Sequence, residues 1–199
     1  MAGKHYFTTR NLVTVALLGC LGAALSTYVG YMAKAFGSAI GLPVGGQMFT
    51  GLHVFWVILA MALVDKKGAG LMAALLDNTV QFLMGSHLGI FVLPVGLLEG
   101  FFAELGYWPL KRLSSSAALI LAGGLSAGSN LLVIQAALRP FPTLALFLLA
   151  VVCAFISGVV FAGLLTCAAL KVLRSAGLIA QSGTAGPAKE DHTLVEAES

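Results

Sequence analysis

Six apolar runs divide this 199-residue chain, at about Asn11–Met32, Met48–Val64, Gly68–Met84, Leu88–Trp108, Ser116–Leu138 and Thr143–Leu173. The first five are near the roughly 20 residues that cross a bilayer as a helix, and the sixth is longer than needed, so it should tilt or extend beyond the bilayer. In hydrocarbon a backbone must bond its own N–H and C=O groups, which makes each run a helix. The expected fold is therefore all-α, a polytopic six-transmembrane-helix bundle. Composition agrees: 59% of the residues are hydrophobic and 10% charged, with a mean hydropathy of +0.97, whereas a soluble domain spends about a quarter of its residues on charge. The net charge of +3 then orients the chain in a lipid bilayer and indicates no nucleic-acid partner.

Residues 1–10 read as a short polar arm, 11–174 as the membrane domain, and 175–199 as a polar, acidic, disordered tail. With six spans both ends share one side. That side collects Lys4, Arg10, Lys66, Lys67, Lys111, Arg112, Lys171, Arg174 and Lys189, against Lys34 and Arg139 opposite, nine basic residues to two. Positive-inside bias makes both termini cytoplasmic. The glycine-rich connection Lys34–Gln47 then faces outward, and its length is that of a lid. The first run is too long for a signal-peptide core. Cys20, Cys153 and Cys167 lie within apolar runs and form no CxxC pair, which points to packing rather than disulfides or zinc.

The polar residues inside the runs are the functional signal. A charge at the bilayer centre costs about 2.5–3.5 kcal/mol on insertion scales, so intramembrane acids face a bundle interior or a cavity. Glu99 falls at the middle of the fourth run and Asp77 near the middle of the third, with Gln81 four residues on, along the same helix face. His53 and Trp56 share a face of the second run, and Asn130 lies near the middle of the fifth. Four helices thus bring polar groups to similar depth beneath the outer loop, as a pocket open to the outside would require. No Lys or Arg lies deep enough to pair with Asp77, Glu99 or Glu104. A planar, positively charged heterocycle would suit the set, with Trp56 as its aromatic face. Glu104, five residues beyond Glu99, points elsewhere and is placed to cap or snorkel. The bland alternatives are interhelical hydrogen bonding for His53, Gln81 and Asn130, and packing for Trp56. One His with scattered amides is a poor metal set, so no metal site is expected. No HExxH motif supports an intramembrane enzyme using Glu99 and Asp77. A purely structural subunit would leave the buried acids unexplained.

The opening TTRNLVTVALL, the turn Gly85-Ser86-His87-Leu88-Gly89 and the segment Gly96-Leu97-Leu98-Glu99-Gly100-Phe101-Phe102-Ala103-Glu104 carry a family resemblance. Over about Thr9–Leu173 the chain resembles the substrate-binding S components of energy-coupling factor (ECF) vitamin transporters, and most of all the YkoE-like thiamine and hydroxymethylpyrimidine branch. The resemblance implies a non-catalytic subunit in the plasma membrane of a bacterium or archaeon. Such a subunit captures its vitamin from outside, associates with a transmembrane coupling (T) protein and two ATPase (A) subunits, and topples to release it inward. With the polar residues read above as the pocket, Glu99, Trp56, His53, Gln81, Asp77 and Asn130 would contact that substrate. Docking to the coupling protein would use small residues of the first helix, here Ala16, Cys20 and Ala24, with a cysteine at the middle step. No Walker A sequence is present, so this chain is expected to bind no cofactor and ATP to be used by the partner subunits.

Overall fold

The computed structural model describes residues 6–41, 44–138 and 141–179. The expected arm and tail therefore lie largely outside the described residues. All regular structure among those described is helical: α1 Thr9–Ile40, α2 Thr50–Val64, α3 Ala69–Leu83, α4 Val92–Lys111, α5 Ser115–Leu138, α6 Leu144–Ser157 and α7 Leu165–Ser175. Short 3-10 segments, Gly45–Phe49 and Gly89–Phe91, lead into α2 and α4. A π-helical stretch, Gly158–Leu164, fuses α6 and α7 into one rod of 32 residues. Five rods are long and apolar enough to cross a membrane: α1, Gly45–Val64, Gly89–Lys111, α5 and Leu144–Ser175. At 15 residues α3 is shorter, about 22 Å. It nonetheless runs beside α1 from Gly68, next to the Phe7 ring, to Gly85, whose carbonyl accepts a 2.6 Å hydrogen bond from Tyr31 Oη.

The largest departure from the sequence reading is the connection expected at Lys34–Gln47. Lys34–Ile40 instead continues α1, and Gly41 ends the helix with φ +72°, its N–H donating to the Ser38 carbonyl. Gly45–Phe49 is already 3-10 helix. The reason is local: KAFGSAI holds no proline, and its apolar residues have partners, Phe36 packing edge-on against Phe49 at 5.5 Å. A helical wall therefore replaces the expected fourteen-residue lid.

Inside lipid, helices associate through close backbone contact more than through the hydrophobic effect, and α1 shows this on one stripe only. Gly22 and Ser26 are buried, and a Cβ on Gly22 would sit 2.7 Å from Trp56 Cβ. Ala16 and Cys20 are exposed and Ala24 half-buried, so the stripe expected to dock a partner is the one the bundle leaves uncovered. Close approach recurs where Gly106 of α4 meets Ala122 and where Gly163 meets Ile120 of α5. Ser157, at the end of α6, donates to the Met48 carbonyl (2.6 Å) and accepts from Gly51 N–H (3.0 Å), tying the 3-10 turn and α2 to the last rod. Cys153 and Cys167 are half-buried packing residues, but Cys20 is exposed.

At the end opposite Tyr31, Asp65 ties α4 to the end of α2. Tyr107 is buried and donates to Asp65 Oδ1 at 3.1 Å, and Lys111 pairs with the same carboxylate. Trp108 is half-buried, with Lys111 4.8 Å from its ring centroid and Lys67 at 5.9 Å. Glu104 caps α3: its carboxylate accepts from the N–H groups of Gly68 (2.8 Å), Gly70 (3.0 Å) and Leu71 (3.4 Å). A carboxylate against the positive end of a helix is favourable, which answers why an acid can sit in the fourth run away from the polar centre.

Candidate ligand-binding site

A cavity of about 630 Å³ opens between the upper half of α1, the 3-10 turn, α2, α3, the turn before α4, and α5. Each wall residue follows from helical spacing. Ser26, Gly30, Lys34, Gly37 and Gly41 succeed one another on one face of α1, three or four residues apart. Thr50 and His53 line it from α2, Asn78 and Gln81 from α3, and Asn130 and Ile134 from α5. Phe49, Phe141 and Val92 supply apolar wall.

The floor is a connected polar layer. His53 stands between two carboxylates of other helices: its Nε2 lies 3.4 Å from Glu99 Oε2 and its Nδ1 3.9 Å from Asp77 Oδ2. Gln81 Nε2 donates to Asp77 Oδ2 at 2.6 Å and lies 3.4 Å from His53 Nδ1. Asn78 Nδ2 donates to Glu99 Oε2 at 3.1 Å, and the Ser126 hydroxyl to the Glu99 backbone carbonyl at 2.9 Å. Asp77, Asn78 and Glu99 have no exposed surface.

Several acceptors of this layer are buried with no hydrogen-bond partner among the described residues: Ser26 Oγ, Asn78 Oδ1 and Asn130 Oδ1 on cavity-lining residues, and Glu99 Oε1 and Asp77 Oδ1 behind them. Leaving such a group unpaired costs about 1–3 kcal/mol. The surplus is of acceptors buried within the layer, two of them carboxylate oxygens, so the floor presents a negative field to the cavity above it. Asp77 Oδ1 points at α1, since a Cβ on Gly22 would fall 2.8 Å from it.

Of the expected contact residues, the structure brings His53, Gln81 and Asn130 to the cavity wall and sets Glu99 and Asp77 directly beneath them. Trp56 is not among the lining residues. It is wedged against Gly22 of α1 and Phe55, whose ring lies at 5.0 Å. Its expected role as the stacking face is corrected, because position 56 is three residues beyond His53 on α2 and turns toward α1. Sequence reading also left out the mouth, where Lys34 and His87 line the cavity. His87 is seated against Gly30 of α1, its ring 6.0 Å from that of Tyr31. Partial burial, then the Lys34 charge and that of His53, hold its pKa below the ordinary histidine value. Among the described residues no group of three or more His, Cys, Asp or Glu is arranged to hold a metal ion.

A multi-pass helical membrane protein with a polar-floored cavity at one end is the architecture of a binding or permeation subunit. Residues 10–129 match the sequence model of a family described as "ABC-type cobalt transport system, permease component", and the chain belongs to that family. It is a transport subunit without a catalytic role. The fold is similar to a solved structure described as "Crystal structure of an S-component of ECF transporter", with a TM-score of 0.78 and 20% sequence identity over 86% of this chain and 88% of that one. No curated protein matches the sequence.

Proposed function

We propose that the chain is the substrate-capturing subunit of an ATP-driven importer in the plasma membrane, spanning it six times with both termini in the cytoplasm and the cavity facing outward. Its substrate is a small planar heterocycle rich in hydrogen-bond donors or carrying positive charge. Thiamine and its hydroxymethylpyrimidine precursor are the first candidates. The carrying observation is the polar floor: His53, Gln81 and Asn130 line a cavity of about 630 Å³, with the carboxylates of Glu99 and Asp77 directly beneath His53. That volume lies within the range of about 300–1,000 Å³ of small-molecule sites. An aminopyrimidine would donate to the amide oxygens, a thiazolium would complement Glu99 and Asp77, and Phe49 and Phe141 would supply the aromatic wall that Trp56 does not. His53, Gln81 and Asn130 read the edges of the ring. The chain binds no cofactor. A separate coupling protein and two ATPases supply the energy, meeting α1 along Ala16, Cys20 and Ala24.

A second reading takes its motive from the family description: the cargo is a divalent cation such as cobalt, held by His53, Asp77 and Glu99. The close approach of His53 to both carboxylates supports it, but both imidazole nitrogens already face a protein partner, and the cavity is far larger than an ion. Equilibrium titration of the detergent-purified protein with thiamine, hydroxymethylpyrimidine, riboflavin and Co²⁺ separates the two. Saturable sub-micromolar binding of a pyrimidine ligand is the expected result. Binding of Co²⁺ alone would replace this reading with the second.

A further inference from the structure

The cavity is electrically polarised along its length. Its acids, Glu99 and Asp77, lie under the floor, and Asp77 is level with Gly22 of α1. Lys34 lines the other end, on the part of α1 that extends beyond the expected membrane span. Along the helix Lys34 stands about 12 Å above Ser26 and about 18 Å above Gly22. It shares the cavity face with Gly30, Gly37 and Gly41, while Phe36 and Ile40 take the outer face. No carboxylate of the described residues lies within ion-pair distance of Lys34. His87 lines the same end and feels the Lys34 charge. One end of the cavity thus offers surplus acceptors and the other an ammonium group with an imidazole beside it.

We propose that the ligand is bipolar, with a donor-rich or cationic ring seated on His53, Gln81 and Asn130 above the Glu99 and Asp77 carboxylates, and an anionic group held at the mouth by Lys34 and His87. The two ends of such a ligand lie about 12–18 Å apart along α1, the span from floor to Lys34. A phosphate ester or carboxylate of a heterocycle fits this pattern better than the uncharged parent. This rests on the cavity being the ligand site, and it narrows the substrate class within that reading.

The test is a set of matched titrations on the full-length protein in detergent: thiamine against thiamine monophosphate and against thiamine diphosphate, whose phosphates stand far enough from the pyrimidine ring to reach the mouth. In the unaltered protein at least one phosphate ester binds tenfold or more tighter than thiamine. Lys34→Gln removes that preference, and Lys34→Arg restores it. Equal affinity for thiamine and its esters overturns the bipolar ligand while the site reading stands. A preference that persists in Lys34→Gln overturns the assignment of the mouth. Failure of every compound to bind overturns both the site reading and this one.

Discussion

His53 Nε2 lies 3.4 Å from Glu99 Oε2, joining α2 to α4 across the floor of the cavity. The same carboxylate oxygen accepts from Asn78 of α3, so three helices meet at one buried acid whose other oxygen, Oε1, has no partner among the described residues. Replacing Glu99 by Gln keeps the volume and removes the charge. Glu99→Gln is expected to weaken thiamine by tenfold or more, about 1.4 kcal/mol, and hydroxymethylpyrimidine, which carries no fixed charge, by less than threefold. Calorimetric titration of both ligands checks it, and equal losses would contradict a charge role for Glu99.

Glu104 shares the helix with Glu99 but serves the fold. Its three hydrogen bonds to the first turn of α3 are charge-assisted, a class worth about 1.5–3 kcal/mol each at most. Glu104→Ala is expected to lower stability by about 2 kcal/mol in total and leave ligand affinity within twofold. Thermal unfolding in detergent, paired with a titration, reads both.

Gly51 has no room for a side chain: an added Cβ would overlap the Ser157 carbonyl, and its N–H donates to Ser157 Oγ. Gly51→Ala must push α2 from the last rod, at a cost of about 2–3 kcal/mol. Because Thr50 and His53 ride on the same turn of α2 and line the cavity, ligand affinity falls with stability. A variant of unchanged unfolding temperature would show that this contact yields freely.

Trp56 packs outside the cavity, one turn from His53. Trp56→Phe is expected to change ligand affinity by less than threefold while removing most of the ligand-dependent fluorescence, since Trp108, the other tryptophan, lies at the opposite end near Lys111. A loss of tenfold or more would restore the stacking role.

The helices were legible because lipid leaves the backbone few choices, so apolar length alone located α2 through the last rod to within a few residues. The burial of Asp77, Glu99 and Asn130 inside the bundle was legible for the same reason, since an unpaired polar group is too costly to face hydrocarbon. Direction around the helix was less so: His53 and Trp56, three residues apart, differ enough in angle that one lines the cavity and the other meets Gly22. The α1 extension was missed because Gly37 and Gly41 read alike in a glycine-rich string, yet Gly37 stays helical and only Gly41 takes φ +72°. With it went Lys34, which is why the mouth of the cavity had no sequence signal beyond an isolated lysine. The π stretch Gly158–Leu164 left no periodic trace in an unbroken apolar run.

The central claim is that the cavity opens outward and holds the ligand at its floor. The most direct test places a single cysteine at Thr50, which lines that cavity and is half-buried, in a protein whose Cys20, Cys153 and Cys167 are alanine. Intact cells expressing Thr50→Cys are treated with a small membrane-impermeant thiol reagent, with and without saturating thiamine or hydroxymethylpyrimidine. The account predicts labelling from outside that one of these ligands suppresses. Labelling only in inverted vesicles, or labelling from outside that neither ligand alters, would contradict it.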